Sequence, residues 1–312
     1  MKQFDQAKKI LARSQKILIL LHQSPDGDTI ASSLALSTYL KRVGKEVDLA
    51  VNDSIPEIFR FLTDGVEIKK DFLLGDYDLI VAIDCGDARR TGFPVRLEQI
   101  AKTKPLLNID HHFKNNLHKI SRVNLIDEKA SAAAEIVFDL LKFLGAEIDS
   151  KIATYILAAI FYDTGGFQHA NVTEKTLQVA SACLSFGGHI EMVAKKISSS
   201  KKTSGLKLWG IALSRMKLKK NGIVFTYLRS EDLKSVGAEV EEASGIVNLI
   251  NSVPQSRIAI LLIETPDGKI KASLRTESDD VDVSSLARIF GGGGHRKAAG
   301  FELSQSFEQL GL

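Results

Sequence analysis

Histidine and aspartate gather at four places between residues 22 and 163 of this 312-residue chain: HQSPDGD (22–28), DCGD (84–87), DHH (110–112) and the Asp163 of FYDTGG. Carboxylate oxygens and neutral imidazole nitrogens form the mixed donor set that holds divalent ions. Pro25 and Gly27 force a tight turn that can aim Asp26 and Asp28 into one pocket. Two carboxylates so placed raise each other's pKa unless a cation compensates. The competing use of the string is an Asp cap on a helix beginning near residue 28, which needs one Asp and no histidine and so accounts for half of it. In an extended DHH segment His111 and His112 point to different sides, so one can bind metal while the other faces substrate; a structural use would bury one and expose the other. The only cysteines, Cys85 and Cys183, form no CxxC pair. A thiolate zinc site and a disulfide framework are therefore excluded, and any metal must use His and carboxylate. Cys85 reads as a small buried residue rather than a nucleophile.

The elements that must position these groups follow from apolar patterning. ILILLH (17–22), LIVAID (79–84) and PLLNID (105–110) are nearly continuous apolar runs, as expected of strands buried on both faces, and KEVDLAV reads as a further strand. Residues 28–43, SAAAEIVFDLLKFLG and DSKIATYILAAIFYDTGG carry helical spacing, the last two ending at glycine. This alternation predicts βαβ units and a mainly parallel sheet flanked by helices. His22, Asp84 and Asp110 each close an apolar run. Ligand sites in open parallel sheets form outside the carboxyl ends of the strands, so these groups converge.

The length favours two domains. KKISSSKKTSG, with four lysines and four serines, reads as a linker over 195–205. It separates a domain at 1–194, which carries the metal site, from a smaller α/β substrate-binding domain at 206–312. In the latter, GIVFTYL, RIAILLIE and KIKASLRT read as strands and EEASGIVNLINSV and VDVSSLARIF as helices. FGGGGHRKAAG places four glycines before His295 and a short helical turn, so that bare backbone N–H groups can approach an anion; a plain glycine turn is the competing use. The string lacks the Lys-Ser/Thr of a P-loop and the spacing of a dinucleotide fingerprint.

Six strings together, HQSPDGD, VAIDCGDARR, NIDHHFKNN, FYDTGGFQHANVT, SLRT and FGGGGHRKAAG, resemble the DHH phosphoesterase family in order and interval, over nearly the whole chain. The branch is the one with a DHH-associated C-terminal domain. The similar subgroup comprises small oligoribonucleases that also remove the 3′-phosphate of adenosine 3′,5′-bisphosphate. The resemblance implies that His22, Asp26 and Asp84 hold one ion and Asp28, Asp84, His111 and Asp163 a second, with Asp84 bridging. It implies that Asp110 steadies the histidine pair and that His112 contacts the scissile phosphate. Arg275, Gly293, Gly294 and His295 then hold the nucleotide or its other phosphate, a guanidinium suiting phosphate because its fork donates two parallel hydrogen bonds. Closure of the two domains across the linker is the expected means of limiting substrate length. Family members often carry a glycine-serine pair where this chain has Ala31 and Ser32, a departure expected to touch helix packing rather than metal binding.

Two divalent ions that activate a water and clamp phosphoryl oxygens constitute a general hydrolysis scheme that needs no nucleophilic side chain. Mn²⁺ is the expected metal, with Co²⁺, Mg²⁺, Zn²⁺ or Fe²⁺ also admitted by the donor set. Arg90 and Asn116 are candidate substrate contacts. A surface pair with Asp87 is the competing use of the first, and a stabilised turn that of the second. His169 can line the cleft or serve a structural hydrogen bond; His118 and His189 have no supporting neighbours.

A net charge of +3, with 44% hydrophobic and 25% charged residues, describes an ordinary globular protein compatible with anionic substrates. It lacks the basic footprint of a dedicated duplex-DNA binder. No apolar run is long enough to span a membrane and the N-terminus lacks a signal-peptide core, so a cytoplasmic enzyme is expected, with a homodimer left open. The expected partner is short single-stranded RNA or a nucleotide. The competing readings are a phosphodiesterase of linear or cyclic dinucleotides such as cyclic di-AMP, and a noncatalytic nucleotide sensor or RNA-binding module. The second predicts a broken ligand set, whereas all six positions are filled.

Overall fold

Side chains alternate across a strand. In the computed structural model, Ile17, Ile19 and Leu21 enter one apolar core and Leu18 and Leu20 another. The structure describes residues 2–112, 116–198, 202–305 and 307–308. The chain divides into two compact units, 1–200 and 201–312.

In the first unit, strands β1 (Lys16–Leu20), β2 (Glu46–Ala50), β3 (Ile68–Lys69), β4 (Leu79–Ile83), β5 (Leu106–Asp110) and β6 (Val123–Ile126) form one sheet in the order β3-β2-β1-β4-β5-β6. All pairings are parallel. The larger core lies against helices α1 (Lys2–Arg13), α2 (Gly27–Arg42), α6 (Ala133–Phe143), α7 (Ser150–Asp163), α8 (Glu174–Ser185) and α9 (Ile190–Ser198). The opposite face is covered by α4 (Pro94–Ile100) and α5 (Asn116–Ile120). A single-turn α3 (Arg60–Thr63) follows β2. Small buried residues bring the central helices close: Ala31, Ser32, Ser33 and Ala35 on α2, and Ala153, Ala158 and Ala159 on α7. Both helices begin on an aspartate cap, Asp26 and Asp149. α1, α8, α9 and β6 were not named by the apolar patterning.

The second unit has a mixed sheet of β7 (Lys217–Leu218), β8 (Ile223–Leu228), β9 (Ile258–Glu264), β10 (Ile270–Arg275), β11 (Gly293–His295) and β12 (Ala298–Leu303), in the order β11-β12-β10-β9-β8-β7. Only the β8–β9 pairing is parallel. Helices α10 (Thr203–Ser214), α11 (Ser230–Val236) and α12 (Ile246–Asn251) share one core with β8 and β9, and α13 (Val283–Ile289) packs with β10 and β12 on the other.

Two expectations need correction. The segment 195–205 is not an irregular linker throughout, because α9 continues through Ser198 and α10 starts at Thr203; residues 199–201 lie outside the described residues. Lys and Ser read as loop-forming, but Val193, fully buried, and Leu208 anchor helices on both sides. The glycine run enters a β-hairpin, with Gly293 and Gly294 in its first strand β11 and β12 as the second, and does not precede a helical turn. Gly292 and Gly294 are needed there because a side chain at either position would run into the backbone of β12. The N–H groups of Gly291 and Gly292 donate to the carbonyls of Arg288 and Ala287, ending α13, so they are engaged and do not form an open anion nest.

Candidate metal centre

Four chain segments bring the six expected ligands together. Asp26 is the N-cap of α2, its Oδ1 accepting from the N–H groups of Asp28 (3.1 Å) and Thr29 (3.2 Å). The same oxygen lies 3.4 Å from His22 Nε2, so capping and clustering coexist in one carboxylate. Thr29 ties the β1 and β4 ends together: its hydroxyl donates to the Ile83 carbonyl (2.9 Å) and accepts from the His22 N–H (3.4 Å). Gly27 packs under Tyr162, the neighbour of Asp163, so closely that a Cβ on it would stand 2.5 Å from the ring.

Asp84, fixed just beyond β4 by its N–H to the Ile109 carbonyl (2.9 Å), adopts a left-handed backbone with φ of 60°. That conformation is uncommon for any residue but glycine and costs on the order of 1 kcal/mol or more, which the surrounding sheet must hold. It points the carboxylate both ways. Oδ2 lies 3.7 Å from His22 Nε2, while Oδ1 lies 3.3 Å from His111 Nε2 and 3.2 Å from His112 Nδ1. His111 Nε2 also lies 3.4 Å from Asp163 and 3.9 Å from Asp28. Its Nδ1 faces the Ala130 carbonyl at 3.2 Å, which sets the tautomer that leaves Nε2 as donor atom.

Asp28 is fully buried and held by three donors: the Ser32 hydroxyl (2.7 Å) and the N–H groups of Ala133 (2.5 Å) and Ala134 (3.2 Å) at the start of α6. Ser32, expected to matter only for helix packing, thus touches a candidate ligand directly. Glu135, Asn171, Thr29 and the 130–134 turn were not singled out from sequence. Nothing in a Ser-Ala-Ala-Ala-Glu string distinguishes a buried acid from one on a solvated helix face.

Charge in this cluster is strongly perturbed. Burial and the nearby Asp84 push Asp28 up to about 7, and burial with Asp28 and Asp26 pushes Asp163 well above the usual carboxylate range. Burial would raise Asp84 as well, but hydrogen bonds and charges from His111 and His112 hold it below that range. Burial opposes protonation of His111, His112 and His22, yet their carboxylate neighbours outweigh it. His112 rises to about 9, His111 rises well above its ordinary value and His22 rises too. In the metal-free chain, protons do the work a cation would do.

Two groups of three, His22–Asp26–Asp84 and Asp28–His111–Asp163, each bring ligand atoms within 4.8 Å of one another, as does Asp84–His111–His112. Each can hold a divalent ion. Among the described residues, His22 Nε2 and Asp84 Oδ1 are buried without an aligned hydrogen bond. Both atoms stand among oxygen and nitrogen donors, His22 Nε2 beside Asp26 and Asp84 Oδ2 and Asp84 Oδ1 beside His111 and His112, a set that fits a hard or borderline cation.

Around this cluster, Asp110 binds the Gly86 N–H (2.6 Å) and His112 through both its N–H (3.0 Å) and Nδ1 (2.8 Å). His112 Nε2 faces Arg90 at 3.4 Å. Both are cationic donors, an arrangement that suits an anionic oxygen between them. Asn116 Oδ1 accepts from the Ala88 N–H (3.0 Å), which is the turn-stabilising use. His169 Nδ1 faces the Asp163 carbonyl (3.1 Å), and His189 Nε2 the Ser150 hydroxyl (3.1 Å). Cys85 is fully buried, and burial with the charges of Asp110 and Asp84 pushes its thiol well up, the profile of an unreactive residue.

In the second unit, Arg275 pairs with Ala298, which pairs with His295. Directly paired residues share a sheet face, so the arginine and histidine stand in one row two strands apart. Asn248 on α12 accepts from Arg275 Nε (3.0 Å). Gly293, in register with Gly300, has open space where a side chain would be.

The likeness to known proteins extends over both units. Residues 16–160 match the model of the DHH family, N-terminal domain, and residues 220–310 that of the DHHA1 domain. A Thermus thermophilus protein named bifunctional oligoribonuclease and PAP phosphatase NrnA is 32% identical over 97% of this chain and 90% of its own. A Bacillus subtilis protein of the same name is 26% identical over 91% and 88%. The crystal structure of an exopolyphosphatase-related protein from Bacteroides fragilis superimposes with a TM-score of 0.90 at 26% identity, covering 98% of this chain and 92% of the other. No helix among the described residues is long and apolar enough to cross a membrane. With both domain models matched in order, and the Thermus relative aligned over nearly its full length, the chain belongs to the DHH family of phosphoesterases.

Proposed function

We propose that this chain is a cytoplasmic, metal-dependent phosphoesterase that hydrolyses short oligoribonucleotides to mononucleotides and removes the 3′-phosphate of adenosine 3′,5′-bisphosphate. The observation that carries the reading is Asp84, whose two oxygens face the two three-residue groups from one strained position. The substrate class rests on the relatives' names. His22, Asp26 and Asp84 would hold one ion and Asp28, Asp84, His111 and Asp163 the other; the donor set admits several divalent metals, and Mn²⁺ is proposed from the family resemblance. When bound, the ions supply Lewis-acid stabilisation of phosphoryl charge and acidify the attacking water.

The chain's own residues do the rest. Asp110 orients His112 and keeps its Nδ1 proton, so Nε2 is the atom presented to substrate. His112, beside Arg90, binds a phosphate oxygen and, when protonated at Nε2, can give that proton to the leaving oxygen; Asp110 and Asp84 both favour its protonated form. Arg275, Gly293, Gly294 and His295 contact the nucleotide away from the scissile bond. The Arg275 guanidinium and the open space at Gly293 suit a phosphate and a flat base.

The test is a side-by-side assay of a diribonucleotide, adenosine 3′,5′-bisphosphate and cyclic di-AMP with Mn²⁺, Co²⁺, Mg²⁺ and Zn²⁺. Turnover of the first two above the third is expected. Preferential cleavage of the cyclic compound would overturn the substrate assignment.

A further inference from the structure

One buried acid in the first unit has no part in the proposed chemistry. Glu135 is fully buried in the first turn of α6. Its Oε1 alone accepts three hydrogen bonds: from the Ser131 N–H (3.1 Å), the Ser131 hydroxyl (2.6 Å) and the Thr176 hydroxyl at the start of α8 (2.8 Å). Its Oε2 has no partner among the described residues. Burying a carboxyl in this way is costly, so the bonds it makes must secure something the fold otherwise lacks.

What they secure is the 130–134 turn. Its Ala130 carbonyl faces His111 Nδ1, and its Ala133 and Ala134 N–H groups hold Asp28. Asn171 clips the same turn to the third member of that group, its amide donating to the carbonyls of Ser131 (3.1 Å) and Asp163 (3.3 Å). None of these bonds reaches His22 or Asp26, which are fixed by Thr29, Gln23 and the α2 cap. We infer that Glu135 is a positioning residue for the Asp28–His111–Asp163 group alone, setting affinity for one of the two ions and leaving the other untouched. The inference rests on the two-ion reading above.

Mn²⁺ titration of the full chain, followed by electron paramagnetic resonance of the free ion and by calorimetry, counts the ions and their affinities without turnover. The parent should bind two. Glu135→Ala should bind one as the parent does and the other about 10- to 100-fold more weakly, the range typical of residues that orient metal ligands. Glu135→Gln keeps the accepting oxygen and replaces only the unpartnered one, so it should restore the second ion. If Glu135→Ala does not fold, Ser131→Ala and Thr176→Val each remove one donor and should weaken the same single ion to a smaller degree. Parental affinity at both sites, or equal weakening of both, in a folded variant overturns the inference while leaving the two-ion site standing. A parent chain that binds fewer than two ions overturns both.

Discussion

Metal binding to this chain should expel protons, and the structure fixes the direction and scale. In the metal-free protein Asp28 is raised to about 7, Asp163 and His111 well above their ordinary values, and His22 is raised as well. All four are candidate ligands, and a ligand must give up the proton on its coordinating atom. Near pH 6.5 loading the site should therefore release protons, that of Asp28 among them. Apparent affinity should then climb with pH toward neutrality, by about tenfold per pH unit for each proton released. Stability moves in the opposite sense. A carboxyl raised from 3.8 to about 7 stabilises the folded state fully below pH 4 and loses that contribution as pH rises through 7. At roughly 1.4 kcal/mol per pKa unit, the upper limit for Asp28 is about 4 kcal/mol. His112, at about 9 against 6.5, loses its contribution between those two values. Asp84, held low, runs the other way and loses its contribution only as pH falls below the ordinary carboxylate range. Mn²⁺ should accordingly raise the melting temperature more at pH 8 than at pH 5. Calorimetry in two buffers of different ionisation enthalpy counts the protons directly. A count of zero between pH 6 and 8, with affinity independent of pH, would refute the assignment of these groups as ligands.

Other substitutions probe separate parts of the site. Asp84→Asn, a residue that tolerates the left-handed backbone, should leave the melting profile of the metal-free chain cooperative and abolish phosphate release; retained turnover would remove the bridging role. Gly27→Ala drives a methyl into Tyr162 and should cost about 1–3 kcal/mol and at least tenfold in kcat through displacement of Asp163, read by melting and by steady-state kinetics. His295→Ala and Arg275→Ala should raise KM for adenosine bisphosphate with kcat little changed, and an unaltered KM would remove the second unit from substrate binding. Arg90→Ala should lower kcat/KM by about 1.5–3 kcal/mol, the scale of a charge-assisted hydrogen bond, without changing the number of Mn²⁺ ions bound.

The central sheet was legible because β1, β4 and β5 are buried on both faces and so read as unbroken apolar runs ending in His or Asp. Those endings flag His22 and Asp84 and lead into the loops that carry Asp26, Asp28 and His111, whereas Asp163, at the end of a helix, joins the set only through the family resemblance. The glycine run misled because one composition serves two ends: backbone exposed to an anion, or backbone pressed against a neighbouring strand, as at Gly292 and Gly294. The two units divide within 195–205, but the helix ends on either side were hidden, because polar residues on the outer face of a helix look like a linker when the few anchoring apolar residues lie at its margins. Glu135 and Ser32 were illegible for a different reason. Their roles depend on chain segments more than forty residues away or on a carboxylate one turn back, and periodicity carries no record of either.

The order in which the ligands occur along the chain has a consequence during synthesis. His22, Asp26 and Asp84 have all been made one residue past the end of β4, whereas Asp28 and His111 wait for Asp163 at the far end of α7. The ligands of one half of the centre are thus all made with little more than a quarter of the chain, but Asp84 is held in place only once the Ile109 carbonyl of β5 follows; the other half is complete only past the midpoint.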